Sequence, residues 1–394
     1  MKKKGLILLT VALLFTFLSA PSGNALESRI KGKLPSIEEV FAKLFSASIR
    51  IFSLDQLKKE STLLSEEERC SMINFLGKER LLKAIEGLDA DKKNFLTDEY
   101  MKLIGKGDLG KNFRKFLPRI LAINANIMSV EQVKQSLKSL DEAEMGTLTI
   151  YMGNDGLKVL FNNANRDKHE AIMSSTPDWV ILEMGLLKYD TIKDYTATML
   201  KQEKIGGKMQ GVETIELKYR VKPTAIYAKW INGPFKGREC LYNSSVSTKN
   251  IRVRESPPFS IVPVTVPLDS PIAKRGTNHL FTEVGLGYML ELILRDYLKA
   301  SPVGDLTRKD IGVQEIDGKP VFVMESTLKK NPKQNYYCHR LTHYIDYINS
   351  FEVKVEVYDW NNQMFEMFTY LKIRENAGLK DIDFDQNNPA YKLK

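Results

Sequence analysis

The hydrophobic period of this sequence changes from helical to strand-like near residue 190, and this change constrains the fold more than any other feature. Before it, apolar residues recur every three to four positions, as on one face of a helix. From Asp194 onward they alternate with polar residues, beginning with Tyr195, Ala197 and Met199 on one face of a strand. Helices grouped before strands, rather than alternating with them, predict an α+β protein with an antiparallel sheet.

The first part of the chain, residues 30–175, is predicted to be an all-helical domain. Its helix starts are marked by a serine followed three residues later by Glu or Gln, as at Ser36, Ser65 and Ser129. In such capping boxes, the two side chains satisfy free backbone amides of the first turn. We expect four to six helices here and one more that begins near Pro177. No motif in this part identifies its role.

The second part, residues 176–394, is predicted to be an antiparallel meander of eight to eleven strands. Gly206-Gly207 and Asp317-Gly318 are dipeptides typical of hairpin turns. One helix, Glu283–Lys299, interrupts the strands and is apolar around almost its whole circumference, so it must be covered on all sides. Two arrangements would cover it. It is either a lid or plug across the concave face of a curved sheet, or a core helix between the sheet and the helical domain.

The first 25 residues have the pattern of a secretory leader. Three lysines, Lys2 to Lys4, precede the apolar run Leu6–Ala20, and Gly23-Asn24-Ala25 is a small-x-small exit. We expect cleavage after Ala25 and a location in the periplasm or outside the cell. The alternative is an uncleaved anchor, which would need an apolar stretch of about 20 residues.

Composition narrows the class of partner. The formal net charge of +9 falls to +6 when the three leader lysines are removed, which is mild for a chain of this length. Export and mild charge argue against a nucleic-acid partner, whereas contact with an anionic membrane surface remains open. The sequence contains three cysteines, too few for a disulfide scaffold. Cys240 and Cys338 are either paired or, together with Cys70, inert buried thiols.

Catalytic and metal-binding motifs are missing from the sequence. Ser326 and Lys329 have a Ser-x-x-Lys spacing, but they end a strand rather than lie on a helix. His339 and His343 would lie about 13 Å apart on a strand, too far for one ion. The loop at Asp89 lacks the glycine and the bidentate glutamate of a calcium site. We therefore predict no enzymatic activity, no metal and no cofactor.

The densest unusual segment runs from Lys229 to Glu239 and combines two glycines, a proline and basic and aromatic residues. It is either a loop at the mouth of a cavity or a hairpin turn whose Trp230 closes the core.

This segment and the strands around it resemble a family of exported bacterial proteins of unknown function, which is similar to the outer-membrane lipoprotein carriers LolA and LolB. The resemblance covers about Trp179 to Leu393. The positions that carry it are Tyr195, Lys201, Glu203, Gly206, Gly207, Trp230, Gly233, Pro234, Gly237, Arg238, Glu239 and Tyr242.

The resemblance implies a LolA-like antiparallel half-barrel around a hydrophobic cavity, with the helix Glu283–Lys299 as lid or plug. Such a fold would bind a lipid or an acylated partner without chemistry. Strand alternation and helix position suggest candidate lining residues: Met199, Trp230, Met289, Leu290 and Ile293. Two alternatives stay open. One is an envelope scaffold that uses the helical domain, and the other is a hydrolase with Glu203 and Glu239 as paired carboxylates.

Overall fold

The computed structural model describes residues 34–107, 112–258 and 262–394 of the chain. The predicted leader, with its cleavage point at Ala25, lies outside the described residues. Within the described ranges, ten α-helices precede the first strand, and an eleventh lies between strands. Their bounds are α1 Ile37–Ile51, α2 Leu54–Leu63, α3 Glu66–Leu76, α4 Lys78–Ile85, α5 Ala90–Tyr100, α6 Phe113–Ile127, α7 Val130–Leu137, α8 Glu142–Asn163, α9 Arg166–Ser175, α10 Asp178–Tyr189 and α11 Leu286–Ala300.

The three capping boxes predicted at Ser36, Ser65 and Ser129 are formed and begin α1, α3 and α7. The expected number of helices was too low. Gly77, with φ 78°, ends α3 and begins α4, so an apolar pattern that continues through this glycine belongs to two short helices. A hydrophobic period alone does not reveal such breaks, because the buried stripe continues across them.

Twelve strands form one antiparallel sheet in the described part of the chain. Their order is β7-β6-β5-β4-β3-β1-β12-β11-β10-β9-β8, and β2 pairs only with β1. β7 and β8 form the two edges without pairing to each other, so the sheet is an open half-barrel. The strands are β1 Asp194–Ile205, β2 Lys208–Met209, β3 Glu213–Arg220, β4 Ala225–Asn232, β5 Glu239–Asn243, β6 Asn250–Arg254, β7 Val264–Pro267, β8 Leu306–Ile316, β9 Lys319–Leu328, β10 Arg340–Asp346, β11 Phe351–Tyr358 and β12 Met364–Glu375.

Both predicted hairpin dipeptides turn the chain with positive φ angles. Gly206 and Gly207 have φ 56° and 82°, and Asp317 and Gly318 have φ 52° and 71°. Two consecutive positive φ angles are what a tight turn between right-twisted antiparallel strands requires. The segment after Trp230 is also a hairpin connection, between β4 and β5, with Trp230 itself buried. The interpretation of this segment as a turn that closes the core is therefore the one that the structure supports.

The inner face of the sheet and the helices are joined through α11. This helix packs against α10 on one side and against β11 on the other, so it lies between the helical part and the sheet. Coverage is not complete, because Glu291, Arg295 and Leu298 form an exposed stripe along it. The expectation that the helix is covered on all sides is wrong for this stripe.

The outer face of the sheet carries the end of the chain. Phe384, Tyr391 and Leu393 pack on Tyr227 and Leu241 of β4 and β5, and the rings of Tyr227 and Tyr391 stack at 3.7 Å.

All three cysteines are buried free thiols, so the proposed pairing of Cys240 with Cys338 does not occur. Within the described residues, no helix is both long and apolar enough to span a membrane.

Candidate functional site

An apolar cavity of about 90 Å³ lies between α11, α10 and the inner face of the sheet. Because one water needs roughly 10–15 Å³ of such space, the cavity has room for several waters or for a short apolar segment. Its apolar lining includes Ile181, Leu182, Met289, Leu292, Ile293, Leu341, Val355, Val357 and Phe368. The open half-barrel and the helix across it thus leave space that their own side chains do not fill.

The N-terminus of α11 is pinned to the sheet by two tyrosine hydroxyls. The backbone N–H of Gly285 donates to Tyr370 Oη at 2.9 Å, and that of Leu286 donates to Tyr195 Oη at 3.1 Å. These are two of the amides that a helix start leaves without partners inside the helix. Gly285 has φ 104°, and a Cβ there would lie 2.4 Å from the Tyr195 hydroxyl. Close approach of helix and sheet therefore requires glycine at this position.

Of the five candidate lining residues, two line the cavity and three do not. Met289 and Ile293 of α11 line the cavity. Leu290 points instead toward α10, where its Cδ2 would be 2.9 Å from a Cβ at Gly185. Met199 and Trp230 are buried in the core of the sheet and belong to the same apolar cluster as Met289, but they are not part of the cavity wall.

At one end of the cavity, a buried histidine faces two glutamates from the inner face of the sheet. His279 Nε2 lies 3.2 Å from Glu366 Oε1 and 3.9 Å from Glu203 Oε1, while its Nδ1 lies 3.6 Å from Glu283 Oε2. The hydroxyl of Tyr337 donates to Glu366 Oε2 and lies 3.2 Å from His279 Nε2. We call Glu203, His279, Glu366 and Tyr337 the His279 cluster. Its first three members bring together donor atoms of the types that bind metal ions.

Electrostatics in the His279 cluster favour a positive charge. Burial by itself lowers the pKa of His279, but the carboxylates of Glu283 and Glu366 outweigh burial and raise the pKa to about 9. The neighbouring carboxyl of Glu213 has a raised pKa, chiefly because of its burial.

A second polar network continues from this cluster along β1, β3 and β4 and contains several family-motif residues. Lys201 Nζ lies 2.8 Å from Glu203 Oε2 and 3.4 Å from Glu213 Oε2. The indole N–H of Trp230 donates to the Glu213 carboxylate. Arg238 lies over the Trp230 ring at 5.2 Å and donates to the backbone carbonyls of residues 272, 273 and 275. The network therefore holds the loop that leads to His279.

The remaining motif residues are structural. Gly233, with φ 95°, has the Val212 carbonyl 2.7 Å from where a Cβ would lie, so the β4–β5 turn needs glycine there. Pro234 lies beside Gly211, and Gly237 turns the chain with φ 92°. Tyr242 is buried in the core of the sheet.

Glu239 does not pair with Glu203, so the paired-carboxylate prediction is wrong. The strand register aligns Glu239 with Lys229, Glu216 and, on β1, Thr198. Thr198 and Glu203 are an odd number of residues apart, so their side chains point to opposite faces of the sheet. On the outer face, Glu239 accepts hydrogen bonds from the Tyr227 hydroxyl at 3.1 Å and from the Lys392 N–H at 3.0 Å.

At the other end of the cavity, three side chains on adjacent strands form a hydrogen-bonded chain. His343 Nδ1 lies 2.9 Å from Glu352 Oε1, and His343 Nε2 lies 3.0 Å from Ser326 Oγ. Since a carboxylate only accepts, Nδ1 carries a proton, and in a neutral imidazole Nε2 then accepts from the serine hydroxyl. All three side chains line the cavity. His339 has separate partners, the Leu328 carbonyl and the Trp360 ring, so the two histidines do not form a pair.

The sequence analysis did not predict the polar side chains at either end of the cavity, which are the His279 cluster and the chain Ser326–His343–Glu352. In β12, Glu366 shares the inner face with Phe368 and Tyr370, and all three line the cavity. A glutamate on the same strand face as two aromatic residues, Phe368 and Tyr370, was the available signal. The sequence held no such signal for His279, because this residue lies in a loop and no other potential ligand follows it at a characteristic spacing.

Comparisons by sequence identify one family. Residues 192–393 match the profile of a family described as "Protein of unknown function (DUF1571)". The predicted resemblance to a family of unknown function is therefore confirmed over the sheet half. Among curated proteins, no sequence matches this chain.

Several solved structures are similar to the sheet half at low identity. Lipoprotein LppX of Mycobacterium tuberculosis is 15% identical, with 53% of this chain and 100% of that chain covered and a TM-score of 0.33. A putative outer membrane lipoprotein-sorting protein domain from Vibrio parahaemolyticus is 14% identical, with coverages of 52% and 96% and a TM-score of 0.27. A LolA superfamily protein from Nitrosomonas europaea is 12% identical, with coverages of 52% and 96% and a TM-score of 0.22.

Proposed function

The chain belongs to the DUF1571 family of proteins of unknown function, and on this premise we propose that it is a non-enzymatic envelope protein that binds an apolar ligand under α11. The ligand is a lipid or the acyl chain of a modified protein. The observation that carries this proposal is the apolar cavity between α11 and the half-barrel. The leader pattern before Ala25 supports a location in the periplasm or outside the cell.

The energetics of burial suit an acyl chain. Each methylene group removed from water contributes about 0.8 kcal/mol, so six of them contribute about 5 kcal/mol. The cavity as it stands accommodates only a short segment, and a longer chain would have to displace α11. Two hydrogen bonds hold the N-terminus of α11, so such a displacement would involve the rest of the helix, where one stripe faces solvent.

A binding experiment with a matched pair of variants tests this proposal. The probe is stearate that carries an anthroyl fluorophore, titrated into the protein purified without detergent. Ile293→Trp fills the cavity, whereas Leu298→Trp adds the same bulk on the exposed stripe of the same helix. We expect at least tenfold weaker binding for Ile293→Trp and wild-type binding for Leu298→Trp. Absence of binding by the wild type, or equal binding by both variants, would refute the proposal.

A second candidate function is the hydrolysis of an acyl ester, favoured by the chain Ser326–His343–Glu352. Ser326 Oγ would attack the ester carbonyl while its proton passes to His343 Nε2, and the leaving alcohol would take that proton. Water would then cleave the acyl-serine to give the acid. Against this function, Ser326 is paired in the sheet with Arg308 and Leu341 on both sides, so its backbone amide is part of the ladder and offers no oxyanion hole.

Covalent labelling distinguishes the second candidate from the first. A fluorophosphonate probe should label wild-type protein at Ser326, and not Ser326→Ala, if the serine is activated. We expect no labelling, because a hydrogen-bonded chain without an oxyanion hole serves the structure alone.

The scaffold alternative has less support. Among the described residues of the helical part, the exposed large hydrophobic side chains are Leu63, Leu82 and Val159. They lie on three different helices, α2, α4 and α8, and do not form the continuous stripe that a docking surface would need.

A further inference from the structure

We infer that Glu203, His279 and Glu366 form a binding site for one divalent cation of the zinc type at the end of the cavity. The inference rests on the geometry of the donor atoms, on the orientation of the histidine and on the balance of buried charge. It does not depend on whether the cavity holds a lipid.

The donor atoms are already close to coordination geometry. One donor atom from each of Glu203, His279 and Glu366 lies within 4.8 Å of the other two. Zn²⁺ binds nitrogen and oxygen at about 2.0–2.2 Å, so neighbouring donors in a tetrahedral site lie about 3.3–3.6 Å apart. The separation of 3.2 Å between His279 Nε2 and Glu366 Oε1 is just below this range, and that of 3.9 Å between His279 Nε2 and Glu203 Oε1 is just above it.

The histidine is oriented as a metal ligand would be. Its Nδ1 faces the carboxylate of Glu283 at 3.6 Å, and this carboxylate is fixed by the Leu280 N–H at 2.9 Å. A carboxylate at one ring nitrogen fixes the tautomer and presents the other nitrogen to the metal, which is the usual arrangement around metal-bound histidines. Glu203 Oε1 is held in turn by the Asn278 N–H at 3.1 Å.

The buried charged groups around the site carry a net negative charge, which favours binding of a divalent cation. Glu203, Glu213 and Glu366 are only 1–2% exposed, and the buried ammonium beside them is that of Lys201. The three carboxylates outnumber the cationic groups by one when His279 carries a proton and by two when it does not, so negative charge is left without compensation in either case. Uncompensated buried charge is costly, and a divalent ion would neutralise it.

The donor set selects the kind of ion. Ca²⁺ and Mg²⁺ prefer six or more oxygen ligands, many of them waters in the case of Mg²⁺, and this site is buried and includes an imidazole. Zn²⁺ accepts imidazole and carboxylate in a four-coordinate site. Three ligands leave one position, next to the Tyr337 hydroxyl. Because His279, Glu366 and Tyr337 line the cavity, that position faces the space where a ligand oxygen would enter.

Metal titration of the full chain tests the inference. The protein is stripped with chelator and titrated by calorimetry with Zn²⁺, and separately with Ca²⁺. Co²⁺ serves as a spectroscopic probe, because tetrahedral coordination gives it intense visible absorption. We expect one equivalent of Zn²⁺, no binding of Ca²⁺ in the same range, and a tetrahedral Co²⁺ spectrum.

Variants test whether the ion binds at these residues. His279→Gln and Glu366→Gln should lose binding at least 100-fold, and His339→Gln, a histidine with separate partners, should bind as the wild type does. Glu283→Gln keeps all three ligands and should weaken binding 10- to 100-fold. It also keeps the inference testable if a ligand variant fails to fold. Absence of stoichiometric Zn²⁺ binding by the wild type would overturn the inference in favour of a protonated His279 paired with the glutamates, and unchanged binding by His279→Gln would overturn it as well.

Discussion

The hydroxyl of Tyr195, on the first strand, accepts a hydrogen bond from the backbone N–H of Leu286, the first residue of the helix across the cavity, at 3.1 Å. Tyr195 is 0% exposed and stacks on Tyr219 at 5.1 Å, so the hydroxyl has a fixed position. A family-motif residue of the sheet thereby sets where α11 begins, and through α11 it sets the height of the cavity.

Tyr195→Phe should loosen this helix start. The substitution leaves the buried Leu286 N–H without an acceptor, which costs about 1–3 kcal/mol of unfolding free energy. We expect this loss in urea unfolding, together with faster amide hydrogen exchange at Leu286. Tyr358→Phe is the matched control, because its hydroxyl bonds to Glu356 away from the helix. Equal protection of Leu286 in the wild type and Tyr195→Phe would contradict the anchoring role.

Gly285→Ala should be more damaging than its backbone conformation alone explains. A left-handed or extended positive-φ backbone costs a non-glycine residue about 1–3 kcal/mol. At Gly285 the added Cβ would also lie 2.4 Å from the Tyr195 hydroxyl. Gly77, with φ 78°, ψ 158° and no atom within 4 Å of a Cβ, has a similar backbone conformation and separates the two effects. We expect Gly285→Ala to lower the free energy of unfolding by about 1–3 kcal/mol more than Gly77→Ala does, because overpacking adds about that much. Equal losses would show that the Tyr195 side chain moves aside without a further loss in the free energy of unfolding.

The sequence predicts the strands and the helix that enclose this site, but not the polar side chains at the two ends of the cavity. Alternation in β1 and β11 places Met199 and Val355 on the inner face, and the apolar run from Glu283 predicts the cavity helix within a few residues of its observed bounds, Leu286–Ala300. These features depend on local periodicity, which a single sequence contains.

The polar ends depend on long-range geometry. Glu203, His279 and Glu366 come from β1, a loop and β12, so no short spacing relates them. Glu352 alternates with inward valines, and this alternation predicts that it faces outward. A register shift between Tyr344 and Ile345 brings it beside His343 instead. Bulges of this kind change which face a residue occupies, and the hydrophobic period does not show them.

Glu60 should make stability depend on pH. Its side chain is fully buried in the helical part, and burial raises its pKa from 4.5 to about 7. Because the folded-state pKa is above the unfolded value, the folded protein holds more protons between these pH values, and the free energy of unfolding falls as the pH rises from about 4.5 to 7.

Glu60→Gln removes this dependence. At pH 8 the variant should be more stable than the wild type by up to about 3 kcal/mol, since one pKa unit corresponds to about 1.4 kcal/mol. At pH 4 the two should be nearly equal. Urea unfolding at pH 4, 6 and 8 measures the difference, with Glu67→Gln, at an exposed position in the first turn of α3, as the control. A constant difference between wild type and Glu60→Gln at all three pH values would argue against a titrating Glu60.

Arg238→Lys should release the loop that leads to His279. The guanidinium donates to the carbonyls of Ile272 and Arg275 at 2.8 Å each and lies over Trp230. A lysine keeps the charge but cannot make these fixed, planar contacts. We expect a loss of about 2–3 kcal/mol in urea unfolding, because buried carbonyls lose charged donors.

Arg252→Lys is the control on the outer face, where one donor reaches the Leu393 carbonyl. If the loop depends on Arg238, proteolysis between residues 268 and 280 should become faster in Arg238→Lys and stay unchanged in Arg252→Lys. Unchanged cleavage in both variants would show that the loop holds its position without the guanidinium.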